Sequence, residues 1–351
     1  MKNKARYLKI KDKIITSVSD CFVVAEIGHN HQGSFEICKQ LFKAAKECGV
    51  DAVKLQKRNN KNIFTKHYYN TPYNSENAFG RTYGLHREAL EFGEKEYREL
   101  KELADELDLI FFATAFDPSS ADFLESMDVP CYKIASGDIV NTPLLRHIAK
   151  KNRPMIISTG GATMKEIKKA YEEISKINKQ LAFLHCTASY PNQFEELDLH
   201  VIKTYQNEFP DHIIGWSSHD NGIAMALAAY VLGARIIEKH FTLNHTMKGS
   251  DHAYSLEPIG MRKLVRDLRR ARIAFGDGTK KVYDSEKQSL MKMRKKIVAA
   301  RNLPKGHIIK KGDLVFKSPG DGLLPYHADH FYGKKLKVSL KEDDNLKFKY
   351  V

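Results

Sequence analysis

His219 and His240 lie at the carboxyl ends of two successive apolar runs, IIGWSS (213–218) and RIIEKHF (235–241). The helix-like segment NGIAMALAAYVLG separates them. Neighbouring parallel strands in a barrel open onto one shared face at their carboxyl ends. The two imidazoles would then converge, as ligands of one divalent ion must. Two histidines leave coordination positions to water and substrate oxygen, a Lewis-acid arrangement.

Lys54 in VKL and Lys133 in YKI form a second informative pair. A buried ammonium without a partner costs several kcal/mol, so each lysine implies an anion. With the hydroxyls of Thr114, Ser136, Ser158 and Ser217 they could hold a phosphate and a carboxylate. A Schiff-base role, or pairing with a glutamate of the barrel, are the alternatives. Taken singly, each serine or threonine reads as satisfying local backbone. Glu26 ends the run FVVAEIG, and a carboxylate there suits a general base or a hydrogen-bond partner for a substrate hydroxyl. Other polar residues at run ends are Asn30, His31, Gln56, Thr159, His185, Thr187, Ser189, Tyr190, Ser218 and Lys239.

Eight apolar runs carry these residues: FVVAEIG (22–28), AVKLQ (52–56), LIFFATAF (109–116), CYKIAS (131–136), PMIIST (154–159), LAFLHC (181–186), IIGWSS and RIIEKHF. Near-continuous apolar character marks strands buried on both faces of a parallel sheet. Between them, segments such as SFEICKQLFKAAKECG (34–49) repeat apolar residues at helical steps and end in glycine. Eight such units predict an α/β fold, a (β/α)₈ TIM barrel over residues 1–280. The stretch 57–93 is long for a strand-to-helix loop, and its Tyr68, Tyr69, Tyr73, Asn74 and Tyr83 predict a substrate-covering loop. Residues 281–289 read as a linker. Turn signals at PKG, KKGD and SPGDG then predict a small, mostly β domain over 290–351.

The 351 residues carry a formal charge of +14, with 42% hydrophobic and 28% charged residues, an ordinary balance for a folded soluble chain. The lysines are scattered, with no basic stripe interleaved with aromatics, which argues against nucleic acid. No apolar run approaches the roughly 18 residues of a membrane span, and MKNKARYLKIKDKIITSVSD lacks the apolar core of a signal peptide. Five cysteines without a CxxC pair predict reduced thiols and a cytoplasmic location.

The motifs AEIGHNHQG (25–33), DAVKLQ (51–56), YKIASGD (132–138), ISTGGAT (157–163), LHCTASYP (184–191), GWSSHD (215–220), EKHFT (238–242) and KGSDHAYSL (248–256) resemble the sialic acid synthase family. SPGDG resembles part of a C-terminal antifreeze-like (SAF, β-clip) domain. The resemblance implies condensation of phosphoenolpyruvate with an N-acetylated hexose to a nine-carbon 2-keto sugar acid and phosphate. It implies that His219 and His240 bind a divalent ion, Mn²⁺ first with Mg²⁺ or Co²⁺ as alternatives, that polarises the sugar aldehyde. Lys54, Thr114, Lys133, Ser136, Ser158 and Ser217 would hold phosphoenolpyruvate. Gln56, Tyr190, Asp251 and Glu26 would face the sugar, with Glu26 handling protons. It also implies a domain-swapped homodimer in which the small domain caps the partner's barrel.

Departures fall where the sugar is read. Ala188 stands where bacterial members carry asparagine, and Ser318 where they carry arginine; Asp138 and Ala115 replace a commoner glutamate and proline. N-acetylmannosamine is the default acceptor, and a diacetamido-trideoxyhexose, as for a legionaminic or pseudaminic acid synthase, is the alternative. Synthases of shorter keto-sugar acids and a non-enzymatic carbohydrate-binding protein are weaker readings. The second would leave Glu26, both lysines and both histidines without a role.

Overall fold

The structure is a computed structural model that describes residues 6–351. Two compact units divide the chain, one ending at Phe275 and the other spanning Gly276–Val351. A hairpin of β1 (Tyr7–Ile10) and β2 (Lys13–Thr16) comes first. Eight parallel strands follow: β3 (Phe22–Gly28), β4 (Ala52–Lys57), β5 (Ile110–Ala115), β6 (Tyr132–Ile134), β7 (Met155–Ser158), β8 (Leu181–Cys186), β9 (Ile213–Ser218) and β10 (Ile236–His240). They pair in chain order, and β10 returns to β3, closing the barrel. The predicted TIM-type architecture is therefore present.

Side chains alternate across each strand, and the two parities do different work. Val23, Ala25, Val53, Leu55, Phe111, Tyr132, Ile157, Phe183, Trp216 and Ile237 belong to the large apolar core that includes the surrounding helices. The other parity starts apolar and ends polar. Phe22, Val24, Ala52, Ile110, Phe112, Ile156, Ala182, Leu184, Ile213 and Ile236 form a separate apolar cluster. The next residues of that parity are Glu26, Lys54, Thr114, Ser158, Ser217 and Glu238, all buried. Leu8, Ile10 and Ile15 of the hairpin complete the apolar cluster, closing the barrel at its amino-terminal end. This plug lies within the lysine-rich start of the chain and was not among the sequence expectations.

Local sequence explains the helices. Ser34 caps Phe35–Cys48 by accepting from Ile37 N, and Gly49 ends it in the left-handed region at φ 80. Thr163 and Glu166 form a reciprocal capping box on Met164–Ile174. The stretch expected to cover substrate contains short helices at Asn60–Ile63, Lys66–Asn70 and Tyr83–Glu88. Its aromatics pack on one another, with Tyr68 and Phe64 ring centres 4.7 and 5.1 Å from that of Tyr83.

In the second unit, β11 (Lys296–Ala299) pairs antiparallel with β12 (Leu314–Lys317) over a core that includes Ile297, Leu303, Ile309, Phe331 and Leu336. Asp313 ties its loops together through Arg301 and His307, each at 2.7 Å. The helix Asp284–Met293 begins inside the stretch read as a linker. Among the described residues, no helix is long and apolar enough to cross a membrane, and all five cysteines are free.

Ile10 is fully buried in the plug. Ile10→Ala is expected to lower unfolding stability by about 2–5 kcal/mol, read from urea denaturation. A loss under about 0.5 kcal/mol, the range of an ordinary surface substitution, would mean that the hairpin does not seal the barrel.

Candidate active site

A cavity of about 520 Å³ opens at the carboxyl ends of the barrel strands, lined by every site residue expected from the sequence. Strand register brings them together, since Glu26 pairs with Lys54 across β3 and β4, Gln56 with Thr114, Thr114 with Lys133, and His240 with Glu26.

Its floor is cationic. Lys54 Nζ lies 2.5 Å from Glu26 Oε2 and donates to Thr114 Oγ1 at 2.9 Å. Lys133 Nζ donates to Ser158 Oγ at 2.6 Å and to the Ile134 carbonyl at 2.9 Å. Glu238 sits between the lysines, 3.7 Å from each. The alternative of a lysine paired to a barrel glutamate thus describes both contacts. Ser136 Oγ accepts from Gly160 N at 2.9 Å. A Cβ on Gly160 would stand 2.9 Å from that oxygen and 3.0 Å from Ala188, so only glycine allows this close approach.

The two glutamates are pushed in opposite directions. Burial raises the Glu26 carboxyl above its ordinary range, and Lys54 only partly offsets this. For Glu238 burial acts the same way, but Lys133 and Lys54 outweigh it and hold the group below its ordinary value. Environments that separate two carboxyls in this way are those in which one can carry a proton while the other stays a fixed anion. Gln56 Nε2 donates to Glu26 Oε1 at 2.7 Å and fixes its orientation.

His219 and His240 face each other with ring centres 5.5 Å apart. An imidazole nitrogen ~2.1 Å from an ion places its ring centre roughly 3.2 Å from that ion, so two rings on one ion stand roughly 4.5–5.5 Å apart. His219 Nδ1 lies 2.9 Å from the Thr187 carbonyl, so it carries the proton and leaves Nε2 its lone pair. Asn192 Oδ1 accepts from His219 N at 3.0 Å and its amide holds the Thr187 and Ser189 carbonyls, wrapping the loop around the ring. His240 Nδ1 is buried without a hydrogen-bond partner, 3.9 Å from Asp251 Oδ2. Burial lowers His219 to about 3 and His240 to about 4, so both rings are neutral donors at neutral pH. Among the described residues, no group of three or more His, Cys, Asp or Glu could hold a metal ion. The pair fits an ion whose other positions are left to water and substrate. Tyr190 packs beside it, its ring centre 4.2 Å from that of His219.

Several polar strand-end residues are elsewhere. Lys239 pairs with buried Asp220 at 3.0 Å. His185 faces the Leu197 carbonyl at 2.6 Å. Asn30 bridges the Phe241 carbonyl and Ser255, and His31 stacks on Phe92 at 4.3 Å. Conversely, His29, Arg58, Arg87, Glu238 and Tyr254 line the cavity and were not anticipated.

A model of the NeuB family matches residues 41–280, and a SAF domain model matches 294–349. The chain belongs to the NeuB family. Among curated relatives of this NeuB-family chain is human N-acetylneuraminate-9-phosphate synthase, 41% identical over 93% of this chain and 91% of the human one. The N,N'-diacetyllegionaminic acid synthase of Legionella pneumophila is 36% identical over 94% of both chains. Among solved structures, an N-acetylneuraminic acid synthetase from Leptospira borgpetersenii superposes with a TM-score of 0.71 at 31% identity, covering 82% of this chain and 96% of that one.

Burial lowers His31 and His219 to about 3, and His86 and His240 to about 4. Unfolding frees these rings to titrate near 6.5. Their contribution to stability is full above about pH 6.5 and lost as pH falls toward 4, because the unfolded chain then binds the extra protons. Denaturant midpoints of the NeuB-family chain should drop between pH 7 and 5, with proton uptake on unfolding; a flat profile would show that the rings are not held neutral.

Proposed function

We propose that this chain is a nonulosonate synthase that condenses phosphoenolpyruvate with an N-acetylated hexose, giving a nine-carbon 2-keto sugar acid and inorganic phosphate. The observation that carries the reading is one cavity lined by two buried lysines and by two neutral imidazoles, in a barrel of this family. Such a cavity binds an anion at one end and a carbonyl oxygen at the other.

Lys54, Lys133 and the hydroxyls of Thr114, Ser136, Ser158 and Ser217 receive the phosphate and carboxylate of phosphoenolpyruvate. Glu238 balances the two ammoniums before and after turnover. His219 and His240 would hold the divalent ion, Mn²⁺ first and Mg²⁺ or Co²⁺ as alternatives, which supplies Lewis acidity to the acceptor's carbonyl oxygen. Gln56, Tyr190 and Asp251 orient the sugar. The enol carbon of phosphoenolpyruvate then attacks the acceptor aldehyde, forming the C–C bond as the aldehyde C=O π bond opens to an alkoxide and leaving positive charge at C2. Water adds to C2, and the proton it loses passes through Glu26 to the alkoxide. The resulting tetrahedral centre expels phosphate as the bond from C2 to the phosphate oxygen breaks, and the C2 hydroxyl proton leaves with the phosphate, giving the 2-keto acid. Glu26, with its raised affinity for a proton, suits that transfer.

The same proposal includes a cytoplasmic site of action and a homodimer in which each SAF domain caps the partner's barrel. N-acetylmannosamine is the first acceptor; a diacetamido-trideoxyhexose is the second reading, favoured by the legionaminic acid synthase relative.

With Mn²⁺ and one of these sugars, phosphate should be released from phosphoenolpyruvate and lost on chelation. His219→Ala and His240→Ala should each bind Mn²⁺ more weakly and abolish release; full activity in either would remove the ion from this pair. Lys133→Ala should raise the KM for phosphoenolpyruvate by about tenfold or more, the loss of one charge-assisted contact. A KM that moves only for the sugar would place the phosphate elsewhere.

A further inference from the structure

The cavity has a second cationic centre apart from the lysine floor. Arg58 and Arg87 both line it, with His29 between them. Arg58 Nη1 lies 2.6 Å from His29 Nε2, and Arg87 Nη1 lies 3.0 Å from His29 Nδ1. Burial, then the charges of Arg58 and Arg87, push His29 well below its ordinary range, so the ring is neutral. A neutral imidazole accepts at one nitrogen only, and a guanidinium is always a donor. One of the two contacts therefore sets N–H against N–H.

Arg58 stands out among the buried cations. Lys54, Lys133 and Lys239 each face a carboxylate, Glu26 or Glu238 for the first two and Asp220 for the third. Arg58, only 6% exposed, forms no ion pair among the described residues. Its guanidinium lies over Phe116 at 4.1 Å and donates to Gln56 Oε1 at 2.5 Å. The nearby Glu91 is engaged by Lys57 at 3.2 Å. Arg87 has the Tyr83 hydroxyl as its other partner, at 2.8 and 3.1 Å. Two adjoining guanidiniums, one of them buried, call for an anion with several acceptor oxygens. A phosphate monoester meets that need by accepting from both forks.

Position identifies the phosphate's owner. Arg58 is bonded to Gln56, and the Arg87 charge, after His240, Ser250 and Tyr254, helps hold the buried Asp251 carboxyl low. Gln56 and Asp251 are residues assigned above to the acceptor, while the lysine floor is assigned to phosphoenolpyruvate. We infer that Arg58 and Arg87, spaced by His29, form the subsite for a terminal phosphate on the acceptor, so that the sugar enters as a hexose phosphate. This rests on the condensation proposed above. It disfavours the diacetamido-trideoxyhexoses, which lack the 6-hydroxyl that would carry the phosphate.

The test compares N-acetylmannosamine with its 6-phosphate, in turnover and in calorimetric binding, for the full chain and for Arg87→Ala, Arg58→Gln and Arg58→Lys. The full chain should favour the phosphorylated sugar in kcat/KM by about a hundredfold, as two charge-assisted contacts allow. Arg87→Ala and Arg58→Gln should each cut that preference about tenfold or more, with the phosphoenolpyruvate KM moving far less than that of the acceptor. Arg58→Lys, which keeps the charge and loses the fork, should fall between. Arg87 is less buried than Arg58, so its variant carries the test should Arg58→Gln not fold. Equal use of both sugars by the full chain, or equal losses on both in the variants, would overturn the subsite and leave the condensation standing. Arginine-dependent binding of the sugar phosphate without phosphate release from phosphoenolpyruvate would keep the subsite and sink the condensation.

Discussion

The barrel is organised around four charges that it has removed from water. Lys54, Lys133, Glu26 and Glu238 are all nearly inaccessible, and none could be tolerated there alone. Removing one partner from such a set costs about 3–5 kcal/mol because the other charge is left uncompensated. Their pairing depends on strand register. Slipping β4 by one residue against β3 would turn Lys54 toward the helices and Val53 or Leu55 toward the cavity. The register that satisfies the charges also delivers Gln56 beside Thr114 and His240 beside Glu26. The charged and the imidazole groups of the cavity are thus consequences of one pairing solution.

Much of this could be read from the chain. The eight strands announced themselves by continuous apolar character, and Lys54 and Lys133 stood out because charge is so costly within VKL and YKI. Glu238 escaped because it sits in EKH, where three polar residues in a row hide their parity: Glu238 and His240 face the cavity, whereas Lys239 is turned away to Asp220. The hairpin plug escaped for a related reason. Each of its strands is only four residues long with an exposed lysine-bearing face, so Leu8, Ile10 and Ile15 look isolated until the barrel end is seen. Arg58 and Arg87 belong to a segment without strand or long-helix periodicity, where spacing carries no information about facing. Their role depends on His29, which reaches them from the end of a different strand.

Burial has opposite consequences for the lysines and for the histidines of the cavity. Carboxylates and hydroxyls surround the lysine ammoniums, with Glu26, Glu238, Thr114 and Ser158 in contact with them. His219 and His240 are buried without a facing anion within hydrogen-bond reach, so they shed their protons and keep lone pairs available. Cys186, between these regions, has its thiol pushed up by burial and remains a neutral wall residue. A substrate with an anionic end and a carbonyl partner therefore meets a field that orients it before any bond is made.

The unequal treatment of Glu26 and Glu238 completes this logic. Two carboxylates close to two ammoniums could have formed two equivalent ion pairs, which would hold both as fixed anions. Instead Glu238 lies 3.7 Å from both lysines, while Glu26 has one lysine, a neutral amide and the repulsion of Glu238. Binding of a further anion at the lysines would draw their field away from Glu26 and raise its proton affinity again. Arrival of the anionic substrate would thus prepare the carboxyl to receive the proton that water addition releases. The charge arrangement that makes the barrel foldable is the one that sets its acid–base chemistry.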